Sequence, residues 1–155
     1  MDIRDANPGE IGHLARLWYD GWQDAHAPIL PAELKRVRTL ESFKDRLETL
    51  LPDVRVARPV GKPLGLCITK GDELYQLYVD ARARGTGLAA KLMSDAESIF
   101  TKNGIQTAWL ACAIGNARAG RFYEKSGWHR SGNMVSELET QTVSFRSRSG
   151  AMKKL

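Results

Sequence analysis

Residues 74–92 constrain the fold more than any other stretch of the chain. They begin with an aromatic and aliphatic run, Leu74 to Val79, whose composition is typical of a mostly buried strand. They end in a segment with apolar residues at intervals of three and four, which predicts an amphipathic helix. Between the two lies a basic turn with the pattern Arg82-x-x-Gly85-x-Gly87. The sequence therefore predicts a strand that passes through a glycine-containing turn directly into a helix.

A turn of this kind can bind a phosphate or diphosphate group. The first N–H groups of a helix have no intrahelical acceptor, and the helix dipole leaves partial positive charge there. Glycines let an anion approach these groups closely, and Arg82 and Arg84 add full charges. Because the glycines could equally serve only the tight turn, this motif alone leaves both interpretations open. The amides expected to hold the anion are those of Arg84, Gly85, Gly87, Leu88 and Ala89, with Thr86 in the same turn.

Two other phosphate-binding patterns do not fit the chain. A P-loop needs Gly-x4-Gly-Lys-Ser/Thr, which occurs nowhere in the sequence. The run Gly85-x-Gly87-x-x-Ala90 does match the dinucleotide fingerprint, but that fingerprint needs an acidic residue about 20 positions later. No Asp or Glu lies between Glu97 and Glu124, so we reject the dinucleotide interpretation.

A second motif lies downstream and reads Asn116-x-x-Ala119-x-x-Phe122-Tyr123-x-x-x-Gly127-Trp128. Taken in this order, the two motifs resemble the signature of the GNAT superfamily of acyl-CoA-dependent N-acyltransferases, and the resemblance extends over residues 1–147. It implies an N-acetyltransferase that uses acetyl-CoA as its co-substrate. It also implies that the basic turn holds the diphosphate of coenzyme A.

The resemblance assigns roles to several residues around the cofactor. Tyr123 takes the position of a tyrosine that faces the departing sulfur, where a phenol with a pKa near 10 can protonate a thiolate with a pKa near 8.5. Asn116 is a helix N-cap and a candidate to bond the pantetheine arm, while Phe122 either packs its helix on the sheet or contacts the cofactor. The pantetheine arm is expected to pair, like an added strand, with the backbone of Leu77, Tyr78 and Val79, where an N–H can also polarise the thioester carbonyl.

The base remains open between Glu73, His26 and water. An alkyl amine with a pKa near 10.4 is mostly ammonium at pH 7, so it must lose a proton before it attacks. Glu73 begins the central strand, where family members often place a base that acts through water. His26 lies after the first helix, in a loop that overhangs the acceptor pocket in the family, and its pKa suits the same task.

The acceptor itself is not identified by the sequence. Side chains alternate along a strand, which predicts Glu73, Tyr75 and Leu77 on one face of the sheet and Leu74 and Gln76 on the other. Carboxylates and aromatic faces suit a cationic amine, a description that polyamines, amino acids, aminoglycosides and protein termini all satisfy. The residues expected around the acceptor are Trp22, Asp24, His26, Glu73, Tyr75 and Trp109.

Composition limits the class of protein. The 155 residues are enough for one domain, which we expect to span residues 1–147 and to be followed by a basic tail at 148–155. A hydrophobic share of 43% with 26% charged residues is typical of a soluble protein, and neither a membrane span nor a signal peptide is evident. We therefore expect a cytoplasmic protein, with Cys67 and Cys112 as buried thiols. The two cysteines and three histidines lack ligand spacing, so no metal site is expected.

The predicted elements follow the order β-α-α-β-β-β-α-β-α-β-β. A helix after the Pro31 position continues as an apolar stripe to Pro52, and Asn103-Gly104 ends the long helix. Residues 128–131 and 142–146 are predicted to form a closing antiparallel pair. This order predicts an α/β (α+β) fold, a mixed central sheet of about seven strands flanked by helices on both faces, as the GNAT resemblance also implies.

Three functions compete at this point. The first is an N-acetyltransferase in which a primary amine attacks acetyl-CoA directly in a ternary complex, since no cysteine falls where a covalent route would need one. The alternative is a non-catalytic acyl-CoA-binding module. A nucleic-acid binder is suggested only by the net charge of +5, and it lacks an aromatic platform among its basic residues. A homodimer is possible in the family, and nothing in the sequence defines an interface.

Overall fold

The computed structural model of the chain describes residues 3–26, 38–57, 59–113, 117–135 and 141–148. The strands are β1 (Ile3–Asp5), β2 (Val54–Ala57), β3 (Gly65–Lys70), β4 (Glu73–Val79), β5 (Thr107–Ala113), β6 (His129–Val135) and β7 (Gln141–Arg148). The helices are α1 (Ile11–His26), α2 (Leu40–Leu50), α3 (Leu88–Lys102) and α4 (Ala117–Lys125). Short 3-10 turns occupy Pro8–Glu10, Leu51–Asp53 and Ala81–Ala83. The predicted order of elements is confirmed. The helical stretch expected from Pro31 lies largely outside the described residues, as does the expected tail apart from Arg148.

All seven strands form one sheet in the order β1-β2-β3-β4-β5-β7-β6. Only β4 and β5 run parallel, because α3 connects them as a crossover; every other neighbouring pair is antiparallel. The closing antiparallel pair of β6 and β7 is present, but β7 lies between β5 and β6. The crossover through α4 therefore leaves a gap beside β5 that the last strand fills.

Helix ends follow local sequence signals. The Thr39 side chain accepts a hydrogen bond from the Ser42 amide at 3.1 Å and caps α2. The C-terminus of α3 is capped by Asn103 and followed by Gly104, whose φ of +75° is typical of the residue after a helix. The end at Asn103 and Gly104 was predicted, whereas the start of α2 was not: the expected stretch from Pro31 to Pro52 is interrupted at residues 38–39, where Thr39 caps a new helix.

Helices cover both faces of the sheet, as predicted. We call the side covered by α1 and α2 the α1 face; its buried core includes Trp18, Phe43 and Ile68. The side covered by α3 and α4 is the α3 face, with Phe100 and Trp128 among its buried residues. The two faces matter for the site because consecutive residues of β4 contribute to different ones.

Candidate active site

The strand β4 leads into α3 through the basic turn. Asp80 caps the 3-10 turn Ala81–Ala83, because its carboxylate accepts from the Arg82 amide at 2.9 Å. Gly85 and Gly87 then have φ of +80° and +84°, a conformation that other residues adopt only with strain. The turn from β4 into α3 therefore requires glycine at both positions. Asp80 is a contributor that the glycine pattern did not reveal, although a short acidic residue before a turn is a recognisable capping signal.

The backbone amides of this turn divide into two groups. The Arg84 amide donates to the Ala81 carbonyl and the Thr86 amide to the Ala83 carbonyl, both at 3.3 Å, and the Thr86 hydroxyl also donates to Ala83. These two residues stabilise the turn. Within the described part of the chain, no hydrogen-bond acceptor is recorded for the remaining four expected amides, those of Gly85, Gly87, Leu88 and Ala89.

The two glycines of the turn border open space. A Cβ built on Gly85 or Gly87 would meet no atom within 4 Å, and both residues are exposed. The N–H groups of Gly87, Leu88 and Ala89 are consecutive at the helix N-terminus, and that of Gly85 precedes them in the turn, an arrangement whose partial positive charge suits an anion. The N-terminus belongs to a helix of 15 residues, long enough for a developed dipole.

The arginines of the turn are held by nearby carboxylates. Arg82 pairs with Asp80 at 3.1 Å, and Nη2 of Arg84 donates to Oδ2 of Asp24 at 2.7 Å. Arg118 of α4 approaches the same Asp24 oxygen at 3.7 Å. The hydrogen bond from Arg84 lowers the pKa of Asp24, so this carboxylate is ionised at neutral pH. Asp24, expected beside the acceptor, thus contacts the basic turn, and its place beside the acceptor stays a prediction.

The parallel strands β4 and β5 separate soon after they meet. Glu73 and Trp109 form their only register pair among the described residues, supported by the Trp109 amide donating to the Asp72 carbonyl at 3.0 Å. Among the described residues, the β4 backbone beyond Glu73 does not pair with β5. This unpaired part contains the expected pantetheine-binding residues Leu77, Tyr78 and Val79. The gap gives a narrow extended ligand a free strand edge to pair with.

A β-bulge in β4 overturns part of the expected alternation. Thr69 pairs with Leu74, but the next β3 residue, Ile68, pairs with Gln76, so Tyr75 has no partner across the strand. Tyr75 packs on the α1 face and Leu77 on the α3 face. The prediction that these two side chains share a face is therefore wrong, because the extra residue reverses the pleat between them.

Tyr123 lies on α4 and packs against the α3 face beside Phe122, with the ring centroids 5.5 Å apart. Both rings are partly buried. Burial, followed by the nearby Cys112 and Tyr78, raises the pKa of the Tyr123 phenol. The side chain therefore remains protonated well above neutral pH and can donate a hydrogen bond or a proton.

The residues expected around the acceptor occupy different environments. Trp22 is almost buried against Phe43, with the ring centroids 5.9 Å apart, and Trp109 is half-buried with its Nε1 donating to Asp72 at 3.0 Å. Glu73 is half-buried at the start of β4. His26 is the last residue of α1. The Asn116 prediction lies outside the described residues.

Two kinds of feature were not found in the part of the chain that the structure describes. No group of three or more His, Cys, Asp or Glu side chains is arranged to hold a metal ion. No described helix is both long and apolar enough to cross a membrane.

Comparisons with known proteins agree with this geometry. The profile of the Acetyltransferase (GNAT) family matches residues 15–128. A curated relative from Mycobacterium tuberculosis, named as an uncharacterized N-acetyltransferase, is 31% identical over 116 residues, which is 72% of each chain. The chain therefore belongs to the GNAT acetyltransferase family and is an acyltransferase enzyme.

Solved structures support the same fold. The PaiA N-acetyltransferase of Thermoplasma acidophilum, determined in complex with coenzyme A, superposes with a TM-score of 0.71 at 19% identity, covering 95% of this chain and 98% of that one. The YjaB protein of Escherichia coli, solved in its apo form, gives 0.69 at 24% identity and 93% coverage of both chains.

Proposed function

We propose that this enzyme transfers an acetyl group from acetyl-CoA to a primary amine by direct attack in a ternary complex. The observation that carries the proposal is the continuity between two features. The four amides of the turn, at Gly85, Gly87, Leu88 and Ala89, lie where β4 ends, and the gap between β4 and β5 lies along that same strand. Acetyl-CoA joins a diphosphate to an extended arm that ends in a reactive thioester, so it would occupy both.

The turn would bind the diphosphate and the strand edge would orient the arm. The four amides and the helix dipole would bind the anion, with Arg82 and Arg84 adding charge. Backbone groups of residues 77–79 would bond the arm in the gap, where no β5 strand competes for them. An N–H of this segment, already positioned, would stabilise negative charge on the carbonyl oxygen during attack.

Tyr123 would protonate the leaving thiolate. Its phenol is kept protonated by a raised pKa, and its side chain packs on the same α3 face as Leu77 and Val79 of β4. Glu73 would accept the proton of the amine through water. Lys70 of β3 is the cross-strand partner of Glu73, and Tyr75 lies two residues after Glu73 along β4. The Lys70 Nζ is 4.4 Å from the ring centroid of Tyr75, which packs on the α1 face. The acid and the base would thus approach the thioester from opposite faces.

Direct attack is favoured over an acetyl-cysteine route by the state of the two thiols. Cys67 and Cys112 are both buried. Burial raises the pKa of Cys112 to about 11 and also raises that of Cys67, so neither thiol is an available thiolate at neutral pH.

Binding of coenzyme A to matched glycine variants tests the role of the turn. Gly87→Ala forces a side chain into a positive-φ position at the N-terminus of α3, while Gly104→Ala does the same at its C-terminus; neither Cβ meets an atom within 4 Å. We expect calorimetry to show coenzyme A affinity reduced about tenfold or more in Gly87→Ala only, since backbone strain costs about 1–3 kcal/mol and disturbs the amides. Equal affinities in the two variants would contradict the proposal.

A second assay separates catalysis from binding alone. Free thiol is measured while acetyl-CoA is incubated with a panel of primary amines, and mass spectrometry follows the protein for an acetyl adduct. Amine-dependent thiol release without an acetylated protein is expected. Binding of acetyl-CoA without thiol release for any amine would indicate the non-catalytic module. An acetylated cysteine would exclude direct attack.

A further inference from the structure

Three aromatic rings on the α1 face surround the guanidinium group of Arg46. Its Cζ lies 4.7 Å from the ring centroid of Trp18, 5.5 Å from that of Tyr75 and 5.8 Å from that of Phe43. We call these three rings the aromatic cluster. Lys70 adds a second cation, with its Nζ 4.4 Å from the Tyr75 centroid. Two positive groups therefore contact the same ring of β4.

These contacts change what the aromatic cluster can recognise. A ligand ammonium binds an aromatic face by cation–π attraction, but here the protein's own cations already use those faces. A polycationic acceptor would meet Arg46 and Lys70 as like charges. A negatively charged group would instead be attracted, because a guanidinium and an ammonium are the usual partners of carboxylates and phosphates.

A buried hydrogen-bond donor in the aromatic cluster also favours an anionic ligand. The side chain of Trp18 is fully buried, and within the described residues its Nε1 has no hydrogen-bond partner. An unsatisfied buried N–H is costly and adds positive potential to its surroundings. Lys70 is exposed, and no described carboxylate forms a salt bridge with it. The cationic region is thus accessible from solvent at Lys70.

The position of this region relates it to the proposed reaction. Lys70 is the direct cross-strand partner of Glu73, the proposed base, and residues paired in this way have Cβ atoms about 5 Å apart. Tyr75, on which both cations lie, is two residues farther along β4. A ligand whose ammonium approaches Glu73 therefore has its neighbouring atoms beside Lys70, and Arg46 contacts the Tyr75 ring that Lys70 also contacts.

We propose that the acceptor is a primary amine that also carries an anionic group, bound by Lys70 and Arg46 beside Glu73. The inference rests on the proposed acetyl transfer, which it narrows to zwitterionic amines of the amino-acid or phospho-amine type. Carboxylate and phosphate share the chemistry that these cations recognise, and the experiment distinguishes them.

The test uses amines that differ only in the anionic group. β-Alanine is compared with β-alaninamide, and O-phosphoethanolamine with ethanolamine, while spermidine supplies a polycation. We expect kcat/KM with wild-type enzyme to be about tenfold or more higher for at least one anionic amine than for its neutral partner. The pair with the larger ratio identifies carboxylate or phosphate. A preference for the neutral partners or for spermidine would overturn the inference while leaving acetyl transfer intact.

Three variants assign the preference to the named side chains. Lys70→Met and Arg46→Met are expected to raise KM for the anionic amine about fivefold to tenfold more than KM for the neutral partner. Lys70→Arg should retain the preference. Lys102→Met removes an equal charge at the C-terminal end of α3, on the opposite face of the sheet, and should have no effect. A ratio unchanged in both methionine variants contradicts the inference, and Lys70→Met, at an exposed site, remains informative if Arg46→Met does not fold.

A binding measurement keeps this test independent of turnover. The same amines are titrated into the protein saturated with coenzyme A, with tryptophan fluorescence as the signal. If no amine is acetylated but the anionic amines bind more tightly than their neutral partners, and lose that advantage in Lys70→Met, the recognition inference holds and the proposed reaction fails. Equal binding of charged and neutral partners refutes the inference.

Discussion

At the scale of single residues, one buried carboxylate joins two segments near the start of the chain to the turn at Gly61. Glu10 is 2% exposed and accepts hydrogen bonds from Arg4 at 2.7 and 3.0 Å, from the Asn7 amide at 2.9 Å and from the Gly61 amide at 2.8 Å. The Arg4 hydrogen bond is the main cause of a pKa lowered to about 2 for Glu10. These hydrogen bonds to the Glu10 carboxylate allow its charge to be buried at this position.

The lowered pKa of Glu10 predicts how stability depends on pH. Because the folded-state pKa lies below the unfolded value, this group contributes stability above pH 4.5 and loses it as the pH falls toward 2, a contribution of about 3 kcal/mol. Glu10→Gln should lower the free energy of unfolding at pH 7 and weaken its decrease between pH 4.5 and 2. Denaturant unfolding across this range measures both effects. The exposed Glu48→Gln is the control, and a similar pH profile in the two variants would contradict the prediction.

The phenol of Tyr123 gives the second prediction at this scale. Tyr123→Phe removes only the hydroxyl group, so kcat should fall about 100-fold or more while KM for acetyl-CoA changes little. Because the pKa of Tyr123 is raised, loss of its proton should not reduce wild-type kcat below about pH 10. Steady-state thiol release across pH measures both parameters. Tyr19→Phe, which removes a hydroxyl group from α1, should retain activity; an equal loss in both variants would assign the effect to stability.

At the scale of elements, the contact between α1 and β4 depends on one helical glycine. A Cβ on Gly21 would lie 2.5 Å from Cδ1 of Tyr78, so the ring of this β4 residue packs directly on the α1 backbone. Glycine normally weakens a helix interior. Its presence in the middle of α1 is explained by close packing, a reason that the helical pattern in the sequence does not show.

This contact predicts opposite effects for two alanine substitutions in the same helix. Gly21→Ala should destabilise the protein by about 1–3 kcal/mol and raise KM for acetyl-CoA, because Tyr78 must move. Gly12→Ala, whose Cβ would meet nothing within 4 Å, should stabilise it by about 0.5–1 kcal/mol. Thermal unfolding and steady-state kinetics compare the two. Stabilisation by both substitutions would mean that the Tyr78 ring moves aside without loss of stability, which would contradict the prediction.

At the scale of the whole molecule, Asp24 connects parts of the fold that are distant in sequence. It belongs to α1, yet its carboxylate holds Arg84 at the start of α3 and approaches Arg118 on α4. In the proposed complex the diphosphate and Asp24 would compete for the same guanidinium. The helix α1, which covers the face that carries the aromatic cluster, is in this way linked to the basic turn.

The competition predicts that removing the Asp24 charge favours the cofactor. Asp24→Asn should bind coenzyme A several-fold more tightly at low salt, and the gain should shrink as salt screens the charges. Calorimetric titrations at two ionic strengths measure it. Asp20→Asn, which removes an equal charge from the pair of Asp20 with Arg16 on the same helix, is the control. Equal affinities in the two variants would show that Asp24 does not compete.

Local sequence determined the order of elements, the helix caps and the positive-φ glycines of the turn. Each depends on side chains a few positions apart, whose steric and hydrogen-bonding preferences act before the chain is folded. The two family motifs added the class of enzyme, since they carry the residues of the turn and of the helix that bears Tyr123.

Tertiary structure alone decided where side chains of the site project. The bulge at Tyr75 appears only when β4 is paired with β3, and the gap beyond Glu73 only when β5 diverges. Asp24, which holds Arg84, and the Trp18 and Tyr75 rings beside Arg46 come from other elements, so no sequence spacing encodes these contacts. These features depend on register and packing between segments far apart in the chain, and a shift of one residue moves a side chain to the opposite face of the sheet.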